Sequence, residues 1–154
     1  MNETAARLAT NAVFGALSEK HLSVVAHCAR RVEFGLDETV FRSGEPADAI
    51  HVLEAGRVSM QLQPASGEPL LVDSVGPGDI LGVSWMLPPY RWTVDAVATL
   101  ATAGVRVDAA CLRDACDADP ALGHQLHRAF AGLVRERLVS TRLQLLDVYR
   151  GHGS

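Results

Sequence analysis

The sequence predicts a mainly β domain with flanking helices: an antiparallel double-stranded β-helix, jelly-roll-like (a β-roll), followed by a long C-terminal helix. Three observations predict it. Residues 32–108 break into short apolar runs punctuated by Gly, Pro, Asp and Ser at spacings of roughly 8–12 residues, the pattern of a sandwich or barrel of short strands. Residues 2–31 instead carry helical periodicity. From Ala121 to Tyr149 there is no proline, and only Gly123 and Gly132 weaken a continuous helix. A chain of 154 residues fits one domain with one core. Its parts are then a helical start at 2–31, the β-roll at 32–108, a hinge helix at 109–117 and the long helix at 120–149.

Each element has its own signal. Ser18 is an N-cap before a helix over 19–31, where Leu22, Val25, Ala26 and Ala29 recur at helical spacing. Strands are predicted at 38–42, 49–53, 57–63, 69–75, 92–99 and 104–107. Residues 58–63, Val-Ser-Met-Gln-Leu-Gln, alternate strictly, as a strand with one buried face does. Gly56 stands where a tight hairpin needs a positive φ. Asp119 and Pro120 form an N-cap and N1 pair that opens the long helix.

At 1.5 Å per residue that helix runs roughly 40–45 Å. Its apolar stripe comprises Leu122, Leu126, Ala129, Phe130, Leu133, Val134, Leu138, Leu145 and Leu146, with the mixed spacing of three and four that packs one helix on another. The stripe either covers the roll of its own chain or pairs two copies across a two-fold axis. The stretch 133–146 reaches further than one small domain covers. A homodimer is therefore expected, with Leu126, Phe130, Leu133, Leu138 and Leu145 as its helix contacts. Arg128, Arg135, Arg142 and Arg150 form a basic stripe beside it.

Composition narrows the function. Apolar residues make up 48%, charged residues 21%, and the net charge is −4, which argues against broad attraction to nucleic acid or anionic membrane. The first ten residues show no secretory signal, and no run approaches the ~18 apolar residues of a membrane span. The expected compartment is the cytoplasm. Cys28, Cys111 and Cys116 form no zinc pattern and read as buried or idle reduced thiols. No nucleophile elbow, zinc-protease helix or phosphate loop is present, so no catalytic residue is assigned and the chain reads as a non-enzyme. Only His51 lies in the strand zone. His124 and His127 lack a third ligand on the long helix, so no metal site is assigned.

The run Phe41-Arg42-Ser43-Gly44-Glu45-Pro46-Ala47-Asp48, continuing through the strand Ala49–Leu53 to Gly56, resembles the cyclic-nucleotide-binding domain family, in which a Gly-Glu-x-(x)-Asp turn leads into a strand and a glycine hairpin. Gly76-Pro77-Gly78-Asp79-Ile80-Leu81-Gly82 resembles that family's next landmark, the turn before its phosphate cassette. The resemblance covers about 14–149. It implies a β-roll sensor of the catabolite-activator type in a stand-alone form lacking the helix-turn-helix domain, since the sequence stops at Ser154. It also implies a ligand, a cyclic nucleotide, held by a short helix after Gly82. The ligand-binding positions it implies are Gly82, Val83, Ser84, Arg91, Trp92 and Thr93, with Arg91 standing one residue early for the phosphate arginine.

The cassette departs from the pattern. Val83 occupies the position of the glutamate that accepts from the ribose hydroxyl, and it cannot accept a hydrogen bond. Trp85 and Trp92 stand where small side chains are usual, as pocket-blocking or stacking residues. The aromatic group Trp85, Tyr90, Arg91 and Trp92 reads in three ways: a plug with Arg91 paired to an acid such as Asp95, a re-tooled pocket, or a surface anchor for a partner. The expected function is a non-catalytic regulatory, ligand-sensing module with a degenerate cassette. The alternative is a protein-interaction or assembly subunit with a closed pocket.

Overall fold

The computed structural model describes residues 2–152. Three short helices open the chain: α1 (Glu3–Ala9), α2 (Ala12–Gly15) and α3 (Glu19–His27). Each is capped by a side-chain oxygen. Asn2 accepts from the Ala5 N–H, Asn11 from Val13 and Phe14, and Ser18 from His21, satisfying amide groups that a helix start leaves free.

Eight strands follow: β1 (Ala29–Phe34), β2 (Thr39–Phe41), β3 (Ala49–Ala55), β4 (Val58–Leu62), β5 (Leu70–Val75), β6 (Ile80–Leu81), β7 (Asp95–Ala98) and β8 (Thr102–Asp108). They form two antiparallel four-stranded sheets, ordered β1-β8-β3-β6 and β2-β7-β4-β5. The fold is the β-roll that the strand spacing predicts. Gly56 takes φ +94° between β3 and β4, and a Cβ there would collide with Thr102.

The helix predicted over 19–31 ends at His27, and the chain turns into β1 two residues later. Ala29 fits a helical stripe as well as a strand, because over so few residues the two periods coincide. The ladder decides: β1 pairs with β8 over its whole length, Ala29 opposite Val107 and Phe34 opposite Thr102. Of the run 92–99, only Asp95–Ala98 is strand. The two-residue β6, pairing with His51 and Val52, is too short to leave a pattern.

The first sheet separates two hydrophobic layers. On its outer face, Ile50, Val52, Val105 and Val107 pack against Leu8, Phe14, Leu22 and Val25 of the N-terminal helices. The same layer takes in Leu112 of α4 (Ala109–Ala118) and Leu122, Leu126 and Phe130 of α5 (Pro120–His152). Between the sheets, Leu53 and Leu81 meet Phe41, Val58, Met60, Val75, Trp92 and Ala96.

Two expectations are corrected here. Leu126 and Phe130 are fully buried in their own chain, so they serve its core and are not available to a second copy. Leu133 also packs against that core. Beyond it, Val134, Leu138, Val139, Leu143, Leu145, Leu146 and Val148 are exposed. Helix α5 therefore changes role near 133: its apolar stripe leaves the core there, while Arg137 still reaches Asp73 and the Ile80 carbonyl of the roll. The cysteines are corrected too: Cys28 and Cys111 form a disulfide across 83 residues, with Cα atoms 5.6 Å apart, and only Cys116 is a free, buried thiol. The β1–β8 ladder brings the pair together, since Cys28 immediately precedes β1 and Cys111 lies in the first turn after β8.

Among the described residues, no helix is long and apolar enough to cross a membrane.

Candidate functional site

A cavity of about 200 Å³ opens beside Gly82. Phe41 of β2, Met60 of β4, and Val72 and Asp73 of β5 line it from the second sheet. The segment Gly82–Ser84 lines it after β6, and Trp92–Val94 before β7. Helix α5 closes it with Arg137 and Thr141.

Its wall is aromatic. The Phe41 and Trp92 rings stack with centroids 3.8 Å apart and planes 7° from parallel. Trp92 is held so closely over Gly82 that a Cβ there would sit 3.0 Å from the indole. Gly82 also has φ +114°, a region that residues bearing a Cβ rarely enter. Glycine is thus required twice at this position, by conformation and by space.

The cavity's charge comes from α5. Arg137 Nη1 donates to Asp73 Oδ2 at 3.0 Å and lies 3.4 Å from the Met60 sulfur, while Nη2 donates to the Ile80 carbonyl at 2.9 Å. Both members of this ion pair are partly screened from solvent, which strengthens it relative to a surface pair. Ser84, Thr93 and Thr141 supply hydroxyls, and Val83 supplies only methyl groups.

Gly82, Val83, Ser84, Trp92 and Thr93 are brought together on this cavity. Arg91 is not. It is exposed, its Nη1 donates to the Gly44 carbonyl at 2.8 Å, and it lines an adjoining apolar groove of about 440 Å³ with Leu87, Tyr90 and Val134 that shares Val83, Ser84 and Thr93 with the cavity. Asp95, its suggested acidic partner, accepts instead from the Ser43 N–H.

Trp85 also lies elsewhere. It is fully buried in the helix-side layer, edge-on to Phe130 at 5.2 Å, and Arg113 of α4 donates to its carbonyl at 3.0 Å. It anchors the cassette segment onto α4 and α5 and takes no part in the cavity lining. Trp92 forms the wall without filling the space. The short helix that the resemblance implies after Gly82 is replaced by turns, with Met86 N–H reaching Val83 O and Tyr90 N–H reaching Leu87 O. Pro88 and Pro89 have no N–H to extend a helix. Arg137, Thr141, Asp73 and Met60 were not predicted. The Arg137–Asp73 pair spans 64 residues, and nothing local in the sequence signals it.

This geometry places a cavity between a glycine turn, a second sheet and a C-terminal helix. Residues 31–119 match the family described as the cyclic nucleotide-binding domain. The chain belongs to that family. The match ends at the start of α5, so the helix that supplies Arg137 lies beyond it. The chain is 26% identical over 141 residues to a CRP-like cAMP-activated global transcriptional regulator of Mycobacterium tuberculosis, covering 92% of this chain and 61% of the regulator. It thus spans less than two thirds of that relative's length.

Among solved structures, a Geobacter metallireducens chain named as a candidate cyclic nucleotide-binding protein superposes with a TM-score of 0.80 at 30% identity, over 90% of this chain and 99% of the other. A cyclic nucleotide-binding domain from Methylobacillus flagellatus shares the fold, with a TM-score of 0.78 at 19% identity over 94% and 82% of the two chains. The regulatory domain of Toxoplasma gondii PKA, crystallised with cAMP, shares the fold with a TM-score of 0.64 at 18% identity, over 74% and 45%. The family is one of regulatory ligand-sensing domains.

Proposed function

We propose that this chain is a non-catalytic sensor that takes a small ligand in the cavity beside Gly82 and reports it through α5. One observation carries the reading: the cavity's cation, Arg137, and its neighbour Thr141 sit on the helix that leaves the roll, and the rest of the lining sits on the roll itself. A ligand that competes with Asp73 and the Ile80 carbonyl for Arg137 changes the hold of the roll on α5. That differential contact is what a ligand needs to shift a conformational equilibrium.

The ligand class follows from family and lining together. A cyclic nucleotide offers a flat base for the Phe41–Trp92 wall and an anion for Arg137, the one cationic side chain among the described lining residues. Val83 leaves a ribose hydroxyl without its acceptor, at a cost on the order of 1–3 kcal/mol, so affinity is weaker than an acidic residue there would give. The working assembly is a homodimer in the cytoplasm, paired through the outer part of α5.

Calorimetry with cAMP and cGMP tests the reading. Arg137→Ala is expected to weaken binding about tenfold or more, as for loss of a charge-assisted hydrogen bond, while Arg91→Ala leaves it unchanged. Binding that depends on Arg91 and ignores Arg137 overturns the assignment of the site.

A second reading, an assembly subunit, is favoured by the apolar groove beside Arg91, where Leu87 is 71% exposed. Capture of a protein partner that Leu87→Glu abolishes and Arg137→Ala leaves intact would support it over the sensor.

A further inference from the structure

Cys28 is the C-cap of α3, and Cys111 lies in the first turn of α4. The bonds around them hold their backbones together independently of the sulfurs. The Asp108 N–H donates to the Cys28 carbonyl at 2.8 Å, Ala29 pairs with Val107 next to them, and Asp108 Oδ2 caps the Cys111 N–H at 2.9 Å. Neither cysteine is fully buried, and the ladder beside the pair keeps the two thiols in register once they are free.

What the cross-link holds is the hinge. Helix α4 joins β8 to α5, and it is tied to α3 at both ends. The disulfide ties its start. At its far end, Asp119 Oδ2 meets His21 Nε2 at 2.9 Å. Between these ties α4 is held by Ala109, Leu112 and Cys116 in the helix-side layer and by the bond from Arg113 to the Trp85 carbonyl. Cys116 is a poor exchange partner, because burial and the charges of Asp117 and Asp119 push its thiol up to about 11.

We propose that Cys28–Cys111 is a reversible dithiol–disulfide site that sets how firmly the hinge helix α4 is held to the N-terminal helices. The reductant is a small or protein-borne dithiol. One of its thiolates attacks a sulfur of the pair, the protein S–S bond breaks, and a mixed disulfide forms as one protein thiolate leaves. The reagent's second thiol then displaces the other protein sulfur. The protein gains two electrons and two protons, and the reagent leaves as its own disulfide. An oxidised dithiol reverses each step. In a reducing compartment such a pair is a transient, regulatory bond rather than a permanent staple.

The test equilibrates the full chain in mixtures of reduced and oxidised dithiothreitol, without denaturant. After acid quenching, thiols are counted by alkylation in denaturant, which exposes the buried Cys116 as well, and amide exchange is followed along 109–118 in the folded protein. Alkylatable thiols are expected to change from one to three and back. In the reduced form, exchange in α4 rises about tenfold or more, as freed local opening permits, while β4 is unchanged. Cys28→Ser and Cys111→Ser should each show the reduced form's α4 exchange in both buffers, with two alkylatable thiols throughout, and Cys116→Ser should switch from none to two with the same change in α4 exchange. Three results would each overturn the proposal: a pair that does not re-form in the folded protein, α4 exchange that is equal in the two states, or a switch that needs Cys116. The wild-type comparison between buffers stands even if one serine variant fails to fold.

Discussion

The two hydrophobic layers lie on opposite faces of the same sheet, and each contains one of the two tryptophans. The helix-side layer is closed: Trp85, Phe14, Phe130, Leu112 and Leu126 are all fully buried, and α4 and α5 seal it. The layer between the sheets is open at one end, where Trp92, Phe41 and Met60 border the cavity and only Arg137 and Thr141 of α5 stand across it. Residues 82–92 connect the layers, contributing Trp85 to one and Trp92 to the other. In the proposed sensor, a sealed layer and an open one joined by a single segment would let the cavity take a ligand without disturbing the packed core. The division also assigns roles along α5: residues up to 133 belong to the closed layer, and the cavity contacts begin at Arg137.

The sharpest test of that contrast is a pair of truncations. Phe130→Ala removes a ring from the closed layer, touching both Phe14 and Trp85, and is expected to cost about 3–5 kcal/mol in urea unfolding. Met60→Ala widens a space that solvent already reaches, and is expected to cost about 2 kcal/mol, the low end for its type. Equal costs would break the distinction between a sealed layer and an open one.

The next effect concerns a polar group at the edge of the open layer. His51 of β3 is buried, edge-on to Phe34 at 5.6 Å, and its Nδ1 has no partner. Burial first, then the charges of Arg106 and Arg30, lower its pKa from 6.5 to about 4. The folded state therefore resists the proton that the unfolded chain accepts. The stability this group contributes is complete above pH 6.5 and is lost as pH falls toward 4. Between pH 7 and pH 5 the wild type should lose about 2 kcal/mol more than His51→Leu, at roughly 1.4 kcal/mol per pKa unit. Unfolding curves at the two pH values measure it, and parallel losses would mean that His51 does not drive the acid limb.

The two layers were unequally legible in the sequence. The roll was readable because its signals are local: alternation at 58–63, glycines and prolines at the turns, the Asp119–Pro120 helix start. Gly82, Ser84 and Trp92 were readable as site residues because they sit within one short motif. Arg137, Asp73 and Thr141 were not, since they converge only when α5 lies against the second sheet. The same limit explains Arg91, whose position in the motif matches a ligand arginine while its backbone turns the side chain toward Gly44. Trp85 and Trp92 are seven residues apart and looked equivalent, but turns rather than a helix follow Gly82 and send them to opposite sides of the sheet. Cys28 and Cys111 met through a strand, β1, that short-range periodicity had hidden inside a helix.

The smallest effect on folding, and the one that most sharpens the division of α5, is expected at its outer half. Ala131, Val134, Leu138, Thr141, Leu145 and Val148 recur at alternating steps of three and four, the a/d rhythm of a two-stranded coil. Leu138 and Leu145 are 48% and 56% exposed and belong to neither hydrophobic layer of their own chain. Leu138→Glu is therefore expected to change monomer stability by no more than about 0.5 kcal/mol, while sedimentation shifts to monomer from the dimer proposed above; a wild type that sediments as a monomer would overturn the pairing. If Leu138→Glu stays dimeric and Leu87→Glu does not, the copies meet at the groove beside Arg91 and the outer helix has another occupant. Thr141 gives the experiment a second reading, because it belongs both to this seam and to the cavity lining. A dimer joined there places the second copy's helix against the ligand, so losing the dimer should weaken ligand binding as well. A fold that keeps its affinity as a monomer would show that the cavity and the seam work independently.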